Sequence, residues 1–175
     1  GTPESISARG TASLQSGGED DPQSLVGDRI TGFFDDTGQI SAVEARGSAR
    51  MVFGPEEELR SVWIRNEISG ALSTSVDSFL RLGDVRLKGR DFEVERAGLV
   101  QFRTSRRATL ETDSGRSTAD RTTAIFDPAS RGLIELVQTG DIRFNQGDRK
   151  GTADRVEVSS SGERILLQGR PVVSD

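Results

Sequence analysis

Apolar and charged residues alternate with a period of two along much of the chain, most clearly near its C-terminus. Ile142 and Phe144 are separated by charged or polar neighbours, and Val156 and Val158 are separated in the same way. Alternation of this kind places apolar side chains on one face of a β-strand and polar ones on the other. The pattern therefore predicts strands with one buried and one solvated face.

Glycines punctuate these predicted strands. Gly47, Gly83, Gly140 and Gly169 each lie between two apolar runs, and turn sequences rich in Asp, Gly and Ser separate others. The intervals between the four glycines are 36, 57 and 29 residues, which disfavours a regular solenoid. Many short strands joined by tight turns, without helical crossovers, predict antiparallel pairing. We expect an all-β, jellyroll-like antiparallel sheet that folds over to cover its apolar face.

One segment admits two interpretations. Pro55 and the three glutamates that follow it resemble the first turn of a helix. The stretch from Leu59 to Ile68 also alternates as a strand, with Val62 and Ile64 on one face. The repeating pattern of strands around it favours the strand.

The first 25 residues differ from the rest in composition. They are polar and acidic, with few apolar residues, and we expect a disordered linker over 1–25. The ordered domain is expected over 26–175.

Alternation also selects the side chains expected on the inner face of the sheet. One interpretation is a packed core, and the other is a groove that stays open enough to admit acyl chains. The residues assigned to such a lipid-binding groove are Met51, Phe53, Val85, Leu87, Phe92, Val94, Val100, Phe102, Leu110, Ile134, Leu136, Ile142, Phe144, Val156, Val158, Ile165 and Leu167.

Composition excludes several classes of chemistry. The net charge is −5, which argues against a nucleic-acid partner, since that would require a basic face. The chain has no His and no Cys, so Ser–His and Cys–His nucleophiles and the usual zinc sites cannot form. Carboxylate pairs at Asp35 and Asp36, or at Glu93 and Glu95, remain possible, but their strand positions favour solvated faces. We expect no enzyme activity, catalytic residue, metal or cofactor.

The C-terminal third carries an ordered set of motifs: G-D-I-x-F-x-Q-G at 140–147, A-D-R-V-x-V at 153–158 and G-x-P-V-V at 169–173. In these motifs the chain resembles the OstA-like, LptA/LptC-type family of lipopolysaccharide-transport proteins. The resemblance implies an open β-jellyroll over 26–175, located in the periplasm. It further implies lipopolysaccharide as ligand, with its acyl chains held in the groove during transport toward the outer membrane.

The resemblance also implies partners. Proteins of that family stack sheet edge on sheet edge, so we expect pairing with other lipopolysaccharide-transport proteins, or a head-to-tail homo-oligomer. Basic residues in loops could form a rim that meets the lipid headgroup, although solubility alone would also explain them; these are Arg103, Arg106, Arg107, Arg149 and Lys150. The alternative function is a structural or adhesive β-repeat module with a packed core and no lipid.

Overall fold

The chain forms one antiparallel sheet of sixteen strands in the part described by the computed structural model, residues 4–16, 23–96, 99–159 and 164–174. The prediction of an all-β, folded-over antiparallel sheet is confirmed. None of the described residues forms a helix that could cross a membrane. The strands are β1 Ser5–Ser16, β2 Gln23–Phe34, β3 Ile40–Gly54, β4 Glu57–Glu67, β5 Ala71–Thr74, β6 Ser78–Leu82, β7 Val85–Gly89, β8 Phe92–Glu95, β9 Val100–Thr104, β10 Ala108–Thr112, β11 Gly115–Ala119, β12 Arg121–Phe126, β13 Leu133–Gln146, β14 Arg149–Ser159, β15 Arg164–Gln168 and β16 Val172–Ser174.

The sheet folds into two layers, and the long strands β4 and β13 belong to both of them. Residues 64–66 of β4 pair with β5, whereas residues 57–60 pair with β6. In β13, residues 133–139 pair with β12 and residues 143–146 pair with β11. One layer therefore runs β4-β5-β8-β9-β12-β13, and the other runs β4-β6-β7-β10-β11-β13. We call them the first and the second layer.

The two layers continue beyond β13 to the C-terminal end of the sheet. Residues 155–159 of β14 pair with β15, which extends the first layer, and residues 150–152 pair with β16, which extends the second. At the opposite end, β3, β2 and β1 continue from β4. Among the described strands, β1 pairs only with β2, and β15 and β16 pair only with β14, so the sheet has free edges at both ends.

A repeated corner bends the long strands from one layer into the other. In β13 both Gly140 and Asp141 have positive φ, 80° and 37°, and the register with β14 shifts between Thr139 and Ile142. The backbone N–H of Asp120 donates a hydrogen bond of 3.0 Å to the carbonyl oxygen of Gly140. A bulge of this kind turns a strand without ending it.

Gly47 facing Asp28 and Gly169 facing Asp154 repeat this arrangement. The sequence pattern predicted that the glycines would separate strands. That prediction is wrong for Gly47 and Gly140, because β3 and β13 run through them as bent but continuous strands.

Replacing Gly140 with alanine should destabilise the protein more than the same change at Gly147. Both glycines have positive φ, which costs an alanine about 1 kcal/mol. A Cβ at Gly140 would also lie 2.7 Å from Oδ2 and 3.0 Å from Cβ of Asp120, whereas a Cβ at Gly147 meets nothing within 4 Å. We expect losses in the free energy of unfolding of about 2–4 kcal/mol for Gly140→Ala and about 1 kcal/mol for Gly147→Ala, measured by chemical denaturation. Equal losses would contradict the account of the corner.

The main hydrophobic core lies inside the folded sheet, with members from β2 to β13. Its largest fully buried side chains include Phe92, Phe102, Phe126, Leu59 and Leu80. The rings of Phe92 and Phe102 meet edge to face, with centroids 4.8 Å apart. A second, smaller cluster surrounds Ile142 at the corner of β13. The interior is therefore closely packed over most of the length of the sheet.

Two local predictions have opposite outcomes. Residues 57–67 form β4, so the strand interpretation of that segment is confirmed. The prediction of disorder over 1–25 is wrong for residues 5–16, which form β1, and for 23–25, which begin β2. Backbone pairing with β2 holds β1 although its side chains are almost all exposed, and Ala12 packs against the core. The remaining linker positions, 1–3 and 17–22, lie outside the described residues.

Candidate functional site

A cavity of about 420 Å³ lies between the two layers at the C-terminal end of the sheet. Both layers contribute walls, and nine of the eighteen lining residues are apolar. The lining residues are Leu110, Thr112, Ser114, Gly115, Arg116 and Ser117 from β10 and β11 with their turn, Leu133, Leu136, Gln138, Phe144, Asn145 and Gln146 from β13, and Arg149, Val156, Val158, Ile165, Leu167 and Val173 from the last three strands. Its size falls within the range of about 300–1,000 Å³ typical of sites for small organic ligands.

Local pairing explains why the wall formed by β14 and β15 is apolar. Val156 lies opposite Leu167, and Val158 lies opposite Ile165. Directly paired residues of antiparallel strands project to the same face, so these four side chains form one apolar patch. Leu166, between Ile165 and Leu167, projects to the opposite face and does not line the cavity. The period of two noted in the sequence thus produces this wall.

The structure divides the seventeen predicted groove residues into groups. Seven line the cavity: Leu110, Leu136, Phe144, Val156, Val158, Ile165 and Leu167. Eight others are buried in the packed core and line no open groove: Met51, Phe53, Val85, Leu87, Phe92, Val94, Val100 and Phe102. Their assignment to a groove is wrong, because both layers pack directly on one another along that part of the sheet.

Ile142 and Ile134 also lie outside the cavity. Ile142 is fully buried in the small cluster at the corner of β13, with Ala119 and Ala153. Ile134 sits where the register between β12 and β13 shifts, so that Phe126 lies opposite Leu133. This irregularity places Leu133 in the wall instead of Ile134. A register shift changes which residues face inward, and the alternation of apolar residues in the sequence does not reveal where such a shift occurs.

Three of the five predicted rim cations lie away from the cavity. Arg107 bridges the carboxylates of Asp120 and Asp141, at 3.0 and 2.9 Å. The hydrogen bond from Arg107 holds the pKa of Asp141 below its usual value, with a further contribution from the charge of Arg143. Arg106 pairs with Asp91 at 3.4 Å, and Arg103 lies 3.8 Å from Glu95. Their assignment to a rim is wrong, since each binds an acidic residue on the outer surface.

The other two predicted rim residues are near the C-terminal end. Arg149 lines the cavity, and Lys150 lines a shallow depression on the outer face of the same strands. Arg116 lines both, although it is not one of the predicted rim residues. The side chain of Arg116 is 62% exposed and lies 3.7 Å from Glu111. Arg116 and Arg149 therefore provide positive charge at the solvent-facing side of the cavity.

Two polar residues with buried side-chain atoms also line the cavity and were not predicted. Gln138 is 1% exposed, and Ser117 has a buried hydroxyl oxygen. Gln138 continues the alternation of β13 two residues after Leu136, so its inward position could have been found from the sequence. The prediction of groove residues included only apolar side chains, and it therefore omitted Gln138. No comparable signal marks Ser117, whose strand has little apolar alternation.

The carboxylate pairs considered for catalysis lie on the surface. Thr37 donates a hydrogen bond of 2.6 Å from its hydroxyl to Asp35, and this bond lowers the pKa of Asp35. Asp35 thus stabilises the turn that follows β2. Glu93 and Glu95 are both exposed on the outer face of β8. Neither pair lines the cavity.

Comparisons with known proteins leave the family open. No protein-family model matches this chain, and the search of curated proteins found no match.

Proposed function

We propose that this protein is a lipid-handling module of the OstA-like, LptA/LptC type, which holds the acyl chains of lipopolysaccharide in the cavity at the C-terminal end of its sheet. The proposed location is the periplasm, and the proposed direction of transport is toward the outer membrane. The observation that carries the proposal is an apolar cavity between two sheet layers, at the end where the sheet has free edges.

The energetics of this cavity suit a carrier. Each buried methylene contributes about 0.8 kcal/mol, so four to six methylenes would contribute about 3–5 kcal/mol before the cost of association. Because association itself costs several kcal/mol, such contact gives weak net binding, which allows the lipid to be released. Arg116 and Arg149 would meet phosphate or carboxylate groups of the headgroup outside the cavity.

Edge pairing is the proposed way in which such modules connect. The unpaired side of β1 is one edge, and β15 and β16 form the other. Both carry exposed apolar side chains, with Ile6 at 60%, Val172 at 62% and Val173 at 52% exposed. Free backbone groups on such strands are templates for pairing with another chain. Head-to-tail contact between copies, or with other lipopolysaccharide-transport proteins, would cover both edges.

The alternative function is a structural or adhesive β-module. A solid interior would have favoured it, and most of the sheet is packed in that way. The cavity at the C-terminal end favours lipid binding instead. Because the chain is acidic, with a net charge of −5, we propose no nucleic-acid partner.

Site-specific photo-cross-linking tests the proposal. A photoreactive residue at Phe144, which lines the cavity, should form an adduct with lipopolysaccharide. The same residue at Phe102, sealed in the packed core, or at Arg143, on the outer face, should form none. Absence of an adduct at Phe144, or adducts of equal yield at Phe144 and Arg143, would refute acyl-chain binding in the cavity.

A further inference from the structure

The cavity contains a hydroxyl group without a hydrogen-bond partner. The Oγ atom of Ser117 is buried and forms no hydrogen bond with any residue that the structure describes. Buried polar groups in folded proteins are nearly always hydrogen-bonded, because an unpaired one has lost its water without replacement. The partner of an orphaned hydroxyl on a cavity wall is a molecule in the cavity, either an ordered water or a ligand.

Within the described part of the chain, the buried serines of the packed core have hydrogen-bond partners. Ser78 contacts the hydroxyl of Thr74 at 2.6 Å and donates to the carbonyl oxygen of Ser75 at 2.8 Å. Ser61 donates to the carbonyl oxygen of Val76 at 3.1 Å. The packed core thus pairs its serines within the chain, and Ser117 differs from them in lining the cavity.

A second polar group reaches the cavity from the opposite layer. Gln138, 1% exposed, lies in the part of β13 that belongs to the first layer, whereas Ser117 is on β11 in the second. The amide of Gln138 donates one hydrogen bond, at 3.4 Å, to the hydroxyl of Thr122. An amide has two N–H donors and a carbonyl acceptor, so this long bond engages only part of its capacity.

The walls around these two groups are apolar. Leu136 and Val156 are buried neighbours of Gln138, and Phe144 lies opposite Ser117 in the pairing of β11 with β13. A ligand that fits must be mostly hydrocarbon, yet it meets a hydroxyl on one wall and an amide on the other. An unsubstituted chain would leave the Ser117 hydroxyl unpaired, and it would offer nothing to the part of the Gln138 amide that the bond to Thr122 does not engage.

We propose that the cavity selects acyl chains that carry a hydroxyl group within the chain, and that Ser117 and Gln138 are the residues that recognise it. This proposal rests on the proposed function, because it requires that acyl chains enter the cavity. The hydroxyl of the ligand would accept a hydrogen bond from one of the two side chains and donate one to the other. Ser117 and Gln138 thus determine specificity, whereas the apolar wall provides affinity.

The test compares binding of tetradecanoic acid with that of its monohydroxy derivatives, which carry the hydroxyl at successive positions along the chain. The native protein should prefer at least one hydroxy acid about three- to tenfold, the value of one net hydrogen bond. Ser117→Ala and Gln138→Met should each reduce that preference toward unity while retaining affinity for the plain acid. Ser61→Ala, which removes a buried serine hydroxyl from the packed core, should leave the preference unchanged.

A hydroxylated chain could come from a free hydroxy acid or from a larger lipid, and monoglycerides of the same acids distinguish these two sources. A preference seen only with the acids assigns the site to free hydroxy acids, and one seen with both assigns it to the chains of a larger lipid. Equal affinity for plain and hydroxylated chains would overturn the specificity proposal and leave lipid binding intact. Absence of binding to every probe would overturn both. A preference that survives in both cavity variants would overturn the assignment to Ser117 and Gln138, and an ordered water would then be their partner.

Discussion

Phe102→Ala is expected to lower the free energy of unfolding by about 3–5 kcal/mol, which is typical for removal of a phenyl ring from a packed core. Phe102 is 0% exposed, and its ring contacts that of Phe92 edge to face. Both layers enclose the ring, so the structure can collapse only partly around the space it leaves. Chemical denaturation monitored by the fluorescence of Trp63 would measure the loss.

The control for this prediction is Ile68→Ala. Ile68 is 70% exposed, and its truncation should change stability by no more than about 0.5 kcal/mol. A small loss for Phe102→Ala, near that of the control, would mean that this part of the sheet is an open groove, as the alternation in sequence had suggested.

Ile165→Asp is expected to weaken binding of acyl chains about tenfold or more, because a carboxylate would replace an apolar side chain of the cavity wall. Ile165 is 50% exposed, so an ionised side chain can still reach water in the free protein. The loss of binding should therefore exceed the loss of stability. Titration with a fluorescent acyl-chain probe, together with denaturation of the same variant, would separate the two effects.

Leu166→Asp is the matched control, since Leu166 occupies the next position on β15 and faces away from the cavity. It is 38% exposed, and the variant carries the same added charge. We expect its affinity for the probe to remain within about twofold of the native value, because the charge stays in solvent. Equal losses in both variants would assign the effect to charge or to fraying of β15, and not to occupancy of the cavity.

The fold class and the inner face of the last strands could be predicted because both depend on local periodicity. In β14 and β15 the register is regular, so alternation alone indicates which face Val156, Val158 and Leu167 take. The bends at Gly47 and Gly140 were also indicated in the sequence, by a glycine between two apolar runs. What the glycines do there, turning a strand without ending it, became clear only from their positive φ and the facing aspartates.

The extent of the cavity could not be predicted, because it depends on how closely the two layers approach. Phe102 and Phe144 alternate with polar residues in the same manner, yet one is sealed and the other lines open space. The difference depends on which residues of the facing layer lie opposite each side chain. The alternation pattern in the sequence does not identify those residues. The same holds for Arg107, whose position gave no indication that Asp120 and Asp141 would both pair with it.

Methyl NMR with a spin-labelled acyl chain tests the central claim most directly, namely that acyl chains enter the sheet only at its C-terminal end. The label should broaden methyl signals of the cavity walls, at Leu136, Val156, Val158 and Leu167. Signals of Leu59, Leu80 and Val94, buried in the packed core, should remain sharp. Broadening that is equal in both sets, or absent from the cavity walls, would contradict the account.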